Sequence, residues 1–146
     1  MKNGADVGAG QTPRAKPESF RGRELSASLT VKDIRNSLAW YRDVVGFTVR
    51  KEFERDGVLR AVSLKAGAVA ILITQDDGAK GLDRVKGDGF SLRITTAQNI
   101  DEVADRIKTR GGVLDSEPAD ALGMRLFRLH DPDGFRFVIS SEPPIG

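Results

Sequence analysis

The sequence predicts an α+β fold: two βαβββ modules, paired so that their strands form a cupped mixed sheet with the helices on its outer face. Three observations carry this. Strand-like alternation, helical spacing and three further strand-like stretches follow one another across residues 24–76, and the same order returns across 90–142. The strands that open the two copies alternate apolar with small polar or charged residues, the mark of a sheet buried on one face only. Residues 77–89, rich in Gly, Asp and Lys, separate the copies as a linker would.

The elements follow in order. Leu25 to Val31 reads as a half-buried strand with Ser26, Ser28 and Thr30 on its polar face. Asp33 stands where a helix N-cap belongs, and Ile34, Leu38, Tyr41 and Val45 recur at helical spacing up to Gly46. Strands are expected at 47–53, 58–64 and 69–74, with turns at Gly57 and Ala66-Gly67. In the second module, Phe90 to Thr96 is a strand carrying Ser91, Arg93 and Thr95 on one face. Asn99 then caps a helix striped by Ile100, Val103, Ala104 and Ile107, which stops at Gly111-Gly112. Three strands follow, at 113–117, 124–130 and 135–140. The last two are joined by Asp131-Pro132-Asp133-Gly134, where Pro presets φ and Gly accepts a positive one.

A chain of 146 residues fits one domain, here 24–142, after a tail at 1–23 too poor in apolar residues to fold alone. The absence of cysteine rules out disulfides and thiol chemistry. The net charge is +2, and basic and acidic residues are interspersed, so no nucleic-acid partner is expected. No apolar run is long enough to span a membrane and no secretory h-region is visible, so neither a membrane partner nor export is expected and a cytoplasmic location is.

Two segments resemble a known family. Val31-Lys32-Asp33-Ile34 with Trp40-Tyr41-Arg42-Asp43-Val44-Val45-Gly46-Phe47 is similar to the opening motif of the vicinal oxygen chelate superfamily, the group of glyoxalase I, bleomycin-resistance proteins and extradiol dioxygenases. His130-Asp131-Pro132-Asp133-Gly134-Phe135 resembles its closing hairpin. The resemblance implies four metal-ligand positions, one on each of four strands, normally His or Glu. Carried over, they fall on Ser26, Leu72, Ser91 (Phe90 if the register slips by one) and Val138. None is a metal ligand, and one histidine cannot make a multi-histidine site. The resemblance therefore points to the metal-free, bleomycin-resistance-like members, with no cofactor and a homodimer as the assembly. An alternative stays open: a lyase, isomerase or dioxygenase-like enzyme whose metal site is displaced or absent.

The expected ligand-binding set is Ser26, Ser28, Thr30, Leu72, Ser91, Arg93, Arg128, Arg136 and Val138. Hydroxyls both donate and accept, and guanidinium groups offer planar paired donors for carboxylate or phosphate. That chemistry suits a small polar or anionic organic compound, sequestered or carried. Arginine on a strand is more often a solvated or ion-paired side chain than a ligand clamp, and no catalytic group is singled out. His130, Asp131 and Asp133 are read as turn residues, and Trp40 and Tyr41 as packing. Whether the cup closes within one chain or between two is left open by the sequence.

Overall fold

The computed structural model describes residues 19–143. Most of the 1–23 tail lies outside them, and residues 19–23 take no regular structure. The first module comprises β1 (Ala27–Val31), α1 (Ile34–Ala39), β2 (Thr48–Arg55), β3 (Val58–Ala66) and β4 (Val69–Gln75). The second comprises β5 (Leu92–Thr96), α2 (Ile100–Thr109), β6 (Leu114–Ala121), β7 (Met124–His130) and β8 (Arg136–Ser141). The repeat is therefore real, with the same element order in both halves.

Each module makes its own four-stranded sheet, in the orders β1-β4-β3-β2 and β5-β8-β7-β6. β1 pairs parallel with β4 and β5 with β8, while the hairpins are antiparallel. The parallel pair requires a long crossover, which the helix and two strands supply. Bulges on β2, β3 and β6 bend the outer strands, and on the edge strand β6 Pro118 falls inside one such irregularity, where its missing N–H breaks no ladder.

The helix signals hold. Asp33 Oδ1 accepts from the N–H groups of Arg35 and Asn36, and Asn99 Oδ1 accepts from Glu102 N–H at 3.0 Å. α1 runs on without a break through Trp40–Val45, where the winding widens, and closes with Gly46 N–H donating to Tyr41 O at φ +107°. β6 extends four residues beyond the expected stretch, since the hairpin to β7 turns at Leu122-Gly123.

The apolar faces of both sheets and both helices belong to one core. Leu29, Val31, Leu64 and Ile71 join it from the first module, and Phe127, Leu129, Phe137 and Ile139 from the second. Tyr41, wholly buried, stands edge-on to Phe47 at 5.7 Å and to Phe137 at 6.0 Å, so the first helix packs on the second module as well as its own. Gly112 marks the closest approach: a Cβ there would lie 2.4 Å from Ile107 Cγ2 and 2.8 Å from Val44 Cγ1.

Polar groups lock the modules together around the 131–134 turn. Tyr41 Oη donates to Asp131 Oδ2 at 2.7 Å, while Asp131 Oδ1 accepts from the N–H groups of Asp133 and Phe135. Asp133 Oδ2 accepts from Lys32 N–H at 2.8 Å. The linker is anchored too: Lys86, buried, places Nζ 2.8 Å from Asp76 and 3.5 Å from Asp133. Asp131 and Asp133 are thus turn residues, as expected, and also the joint between the halves.

Candidate functional site

Because both apolar faces enter one core, the polar face of each sheet points away from it. On the second sheet, register defines what that face displays. Arg93 on β5 and Arg128 on β7 both pair with Val138 on β8, and the next row sets Arg136 opposite His130. Neighbouring strands are roughly 4.8 Å apart, so Val138 stands between Arg93 and Arg128 in one row of this face.

A hollow of about 440 Å³ opens on this face, lined by Phe90, Ser91, Asp115, Arg128, Arg136 and Val138 among others. Four of the nine expected ligand-binding residues meet there: Ser91, Arg128, Arg136 and Val138. Ser91 directly precedes β5, where the chain leaves the linker. Arg136 is steadied by donating to Gly87 O at 3.2 Å. Among the described residues the Arg128 guanidinium makes no hydrogen bond or ion pair, and neither arginine faces a carboxylate within bonding distance. Phe90, 48% exposed and packed at 6.4 Å against Phe135, adds an aromatic wall.

The other expected residues lie elsewhere. Arg93 turns toward Ser140 Oγ at 3.4 Å and the Met124 sulfur. With Ser26 it lines a second hollow, of about 290 Å³, at the seam between modules, which is otherwise apolar. Ser28, Thr30 and Leu72 sit on the polar face of the first sheet, where Ser28 pairs with Leu72 and Thr30 with Thr74. The Thr74 hydroxyl lies 3.3 Å from that of Thr30. These three line none of the principal hollows. Within one chain the expected ligand-binding residues thus fall on three separate patches.

The four positions that the family pattern assigns to a divalent cation do not fit one. Leu72 and Val138 offer only hydrocarbon in the middle of their polar faces, and Ser26 and Ser91 sit outside the strands. Among the described residues no three His, Cys, Asp or Glu side chains converge.

Two features escaped sequence reasoning. Asp115 and His130 pair at the rim of the hollow, both carboxylate oxygens lying 2.8 and 2.9 Å from Nδ1. The bulge at Asp115 brings them together, and nothing in the sequence marks it. Lys86 looked like linker charge but is a buried pivot. It and the Gly78 N–H hold the Asp76 carboxyl down at about 2. At the turn the balance is reversed: burial pushes Asp131 above the ordinary carboxylate range despite three hydrogen bonds, and burial beside Asp131 pushes Tyr41 well up.

A family model described as the glyoxalase/bleomycin resistance protein/dioxygenase superfamily matches residues 25–139. Comparison with curated proteins finds no match. Among solved structures the chain is similar to TnmS3, an antibiotic binding protein from Streptomyces sp. CB03234, with a TM-score of 0.68 at 16% identity, covering 86% of this chain and 100% of that one. It is similar to the virulence protein STM3117 from Salmonella typhimurium at a TM-score of 0.63 and 23% identity, covering 84% and 98%. A glyoxalase/bleomycin resistance protein/dioxygenase from Nocardioides gives 0.63 at 17% identity, covering 88% and 89%. At these identities the likeness establishes the fold. Among the described residues no helix is long and apolar enough to cross a membrane.

Proposed function

Because the chain belongs to the glyoxalase/bleomycin resistance protein/dioxygenase superfamily, we propose that it binds a small anionic organic compound on the polar face of its second module, without a metal. One observation carries the reading: Arg128 and Arg136 line the same hollow with Ser91 and lack carboxylate partners among the described residues. Surface arginines commonly find an acid. Two left uncompensated beside a hydroxyl and an exposed aromatic ring form a complement to carboxylate or phosphate. Val138 and Phe90 supply the apolar floor and wall for the ligand's body. The antibiotic-binding description of TnmS3 favours sequestration or carriage within this superfamily.

The test is a thermal-shift panel of small organic acids, each run beside its neutral amide. At 100 times Kd an acid adds about 2.7 kcal/mol. With an unfolding entropy of about 0.25 kcal/mol per degree for a domain this size, that is roughly 10 °C. Arg128→Ala combined with Arg136→Ala loses the response to acids and leaves that of Arg93→Ala intact. Equal shifts for acid and amide, or an unchanged response in the double variant, would reject the reading.

The partner is a second copy. The hydroxyl-bearing face of the first sheet, with Ser28, Thr30 and Leu72, points away from the core just as the arginine face does. In a two-fold dimer, one copy's hydroxyl face closes the other's hollow. Mixing an Arg128→Ala/Arg136→Ala copy with a Leu72→Trp copy leaves one intact site per mixed dimer, so acid binding returns at one site per mixed dimer. A monomer by sedimentation that binds acids fully excludes the dimer.

A further inference from the structure

Beside the hollow lies a pair of side chains that anion binding does not use. Asp115 lines the hollow and faces His130 Nδ1 with both oxygens. A carboxylate only accepts, so Nδ1 donates, and the neutral ring carries its lone pair on Nε2. Among the described residues nothing bonds to Nε2, and the His130 side chain is half exposed. His130 is directly opposite Arg136 across the β7/β8 ladder and two residues from Arg128 on the same strand. Opposed residues hold their Cβ atoms about 4.5–5.5 Å apart. Alternate residues along a strand share a face about 7 Å apart. The imidazole is therefore within a side chain's reach of anything both guanidiniums grip.

We propose that this site moves a proton as well as binding an anion, with His130 as general base toward a carboxylate that bears a C–H next to a carbonyl, a 2-oxo acid being the simplest case. The inference rests on the anion-binding reading above. One guanidinium holds the carboxylate and the other the neighbouring carbonyl oxygen. His130 Nε2 takes the proton from carbon. The C–H electron pair becomes the new C=C bond, and the carbonyl π pair moves onto oxygen, where the guanidinium stabilises the enolate. Return of the proton from Nε2 to carbon regenerates the keto acid, and its return to oxygen gives the enol, so no co-reactant is required. Asp115 is a positioning residue: by accepting from Nδ1 it fixes the tautomer and the orientation of the ring.

The experiment uses the full chain with 2-oxobutanoate in D2O and follows loss of the C3 methylene signal by proton NMR, with binding measured separately by calorimetry. The wild-type protein exchanges the methylene at least 100-fold faster than buffer alone, in line with the roughly 10²–10⁴-fold typical of a positioned base. His130→Gln falls to the buffer rate while still binding 2-oxobutanoate. Asp115→Asn lowers the rate while leaving 2-oxobutanoate affinity unchanged, because an amide holds the Nδ1–H tautomer less firmly than a carboxylate that faces it with both oxygens. Asp115→Glu restores part of the rate, a response that a purely structural role would not give. Binding with exchange at the buffer rate overturns the proton-transfer proposal and leaves the anion site standing. Absence of 2-oxobutanoate binding overturns both.

Discussion

Replacing Tyr41 with Phe removes a single oxygen from a side chain with no solvent exposure. That oxygen is the sole donor, among the described residues, to Asp131 Oδ2, whose carboxylate is itself buried. Water cannot take its place without opening the joint between the modules. The loss is that of a hydrogen bond to a charged group, about 1.5–3 kcal/mol. With an unfolding entropy of about 0.25 kcal/mol per degree, Tm falls by roughly 6–12 °C at neutral pH. The deficit also depends on pH, and its sign follows from the burial that raises Asp131. A carboxyl whose folded pKa exceeds its unfolded value binds extra protons in the native state, so its contribution to stability falls as pH rises through the interval between them. Losing the Tyr41 donor raises the folded value further and widens that interval. The gap between Tyr41→Phe and wild type is therefore largest where Asp131 is ionised and shrinks in acid, where the lost bond is an ordinary neutral one. Calorimetric scans of both proteins from pH 3 to 8 measure it. A Tm within 2 °C of wild type at neutral pH, or a gap that grows toward acid, would refute the reasoning.

Two further changes probe the same framework. Asp76 is held at about 2 in the folded protein, against about 3.9 in an unfolded chain, so its contribution is complete above the unfolded value and is lost as pH falls toward 2. Lys86→Met keeps the stem but removes the charge: Tm drops at neutral pH, and the wild-type decline between pH 4 and 2 flattens, as acid denaturation monitored by circular dichroism will record; an unaltered decline assigns it to other carboxyls. At Gly112 the limit is space rather than backbone conformation. An added Cβ meets Ile107 and Val44, and overpacking of that kind costs about 1–3 kcal/mol. Gly112→Ala therefore lowers Tm by roughly 4–12 °C, whereas Gly112→Ala at wild-type Tm would mean that the helix ends slide apart freely.

Local chemistry made most of the fold legible. Asp33 and Asn99 cap helices as their types demand, and the Asp131-Pro132-Asp133-Gly134 turn forms, with Gly134 at φ +97°. Alternation in Leu29-Thr30-Val31 and in Phe137-Val138-Ile139 sorts each residue to the correct face. Alternation says which residues share a face but not what that face opposes. That is why Arg93 and Arg136, which register puts on one side of the second sheet, part company: one turns to Ser140 and the other lines the hollow. Bulges are equally silent, since an extra residue in an edge strand leaves no compositional mark, and the Asp115–His130 pair depends on one. Buried charge is hardest of all. Lys86 sits in a polar stretch, and only the fold brings Asp76 and Asp133 around it.

The joint between the modules and the arginine hollow are parts of one construction. β8 leaves the 131–134 turn with Arg136 first and Val138 two residues later, so whatever fixes that turn fixes the hollow's floor. Tyr41 and the Lys32 N–H hold the turn from the first module, and Arg136 bonds back to Gly87, next to Lys86. A guanidinium free to swing loses side-chain entropy when it binds an anion; one already tethered has lost part of it beforehand. Arg136 is tethered and Arg128 is not, which divides their work. On the anion-binding reading proposed above, Arg136 would set where the anion sits, and Arg128 would close on it from the neighbouring strand. Loosening the joint should then weaken the anion at Arg136 before it alters Arg128. The Tyr41→Phe protein, assayed well below its melting temperature, should retain acid binding with reduced discrimination among acids of different length. Loss of affinity without loss of discrimination would instead place the positioning in Arg128.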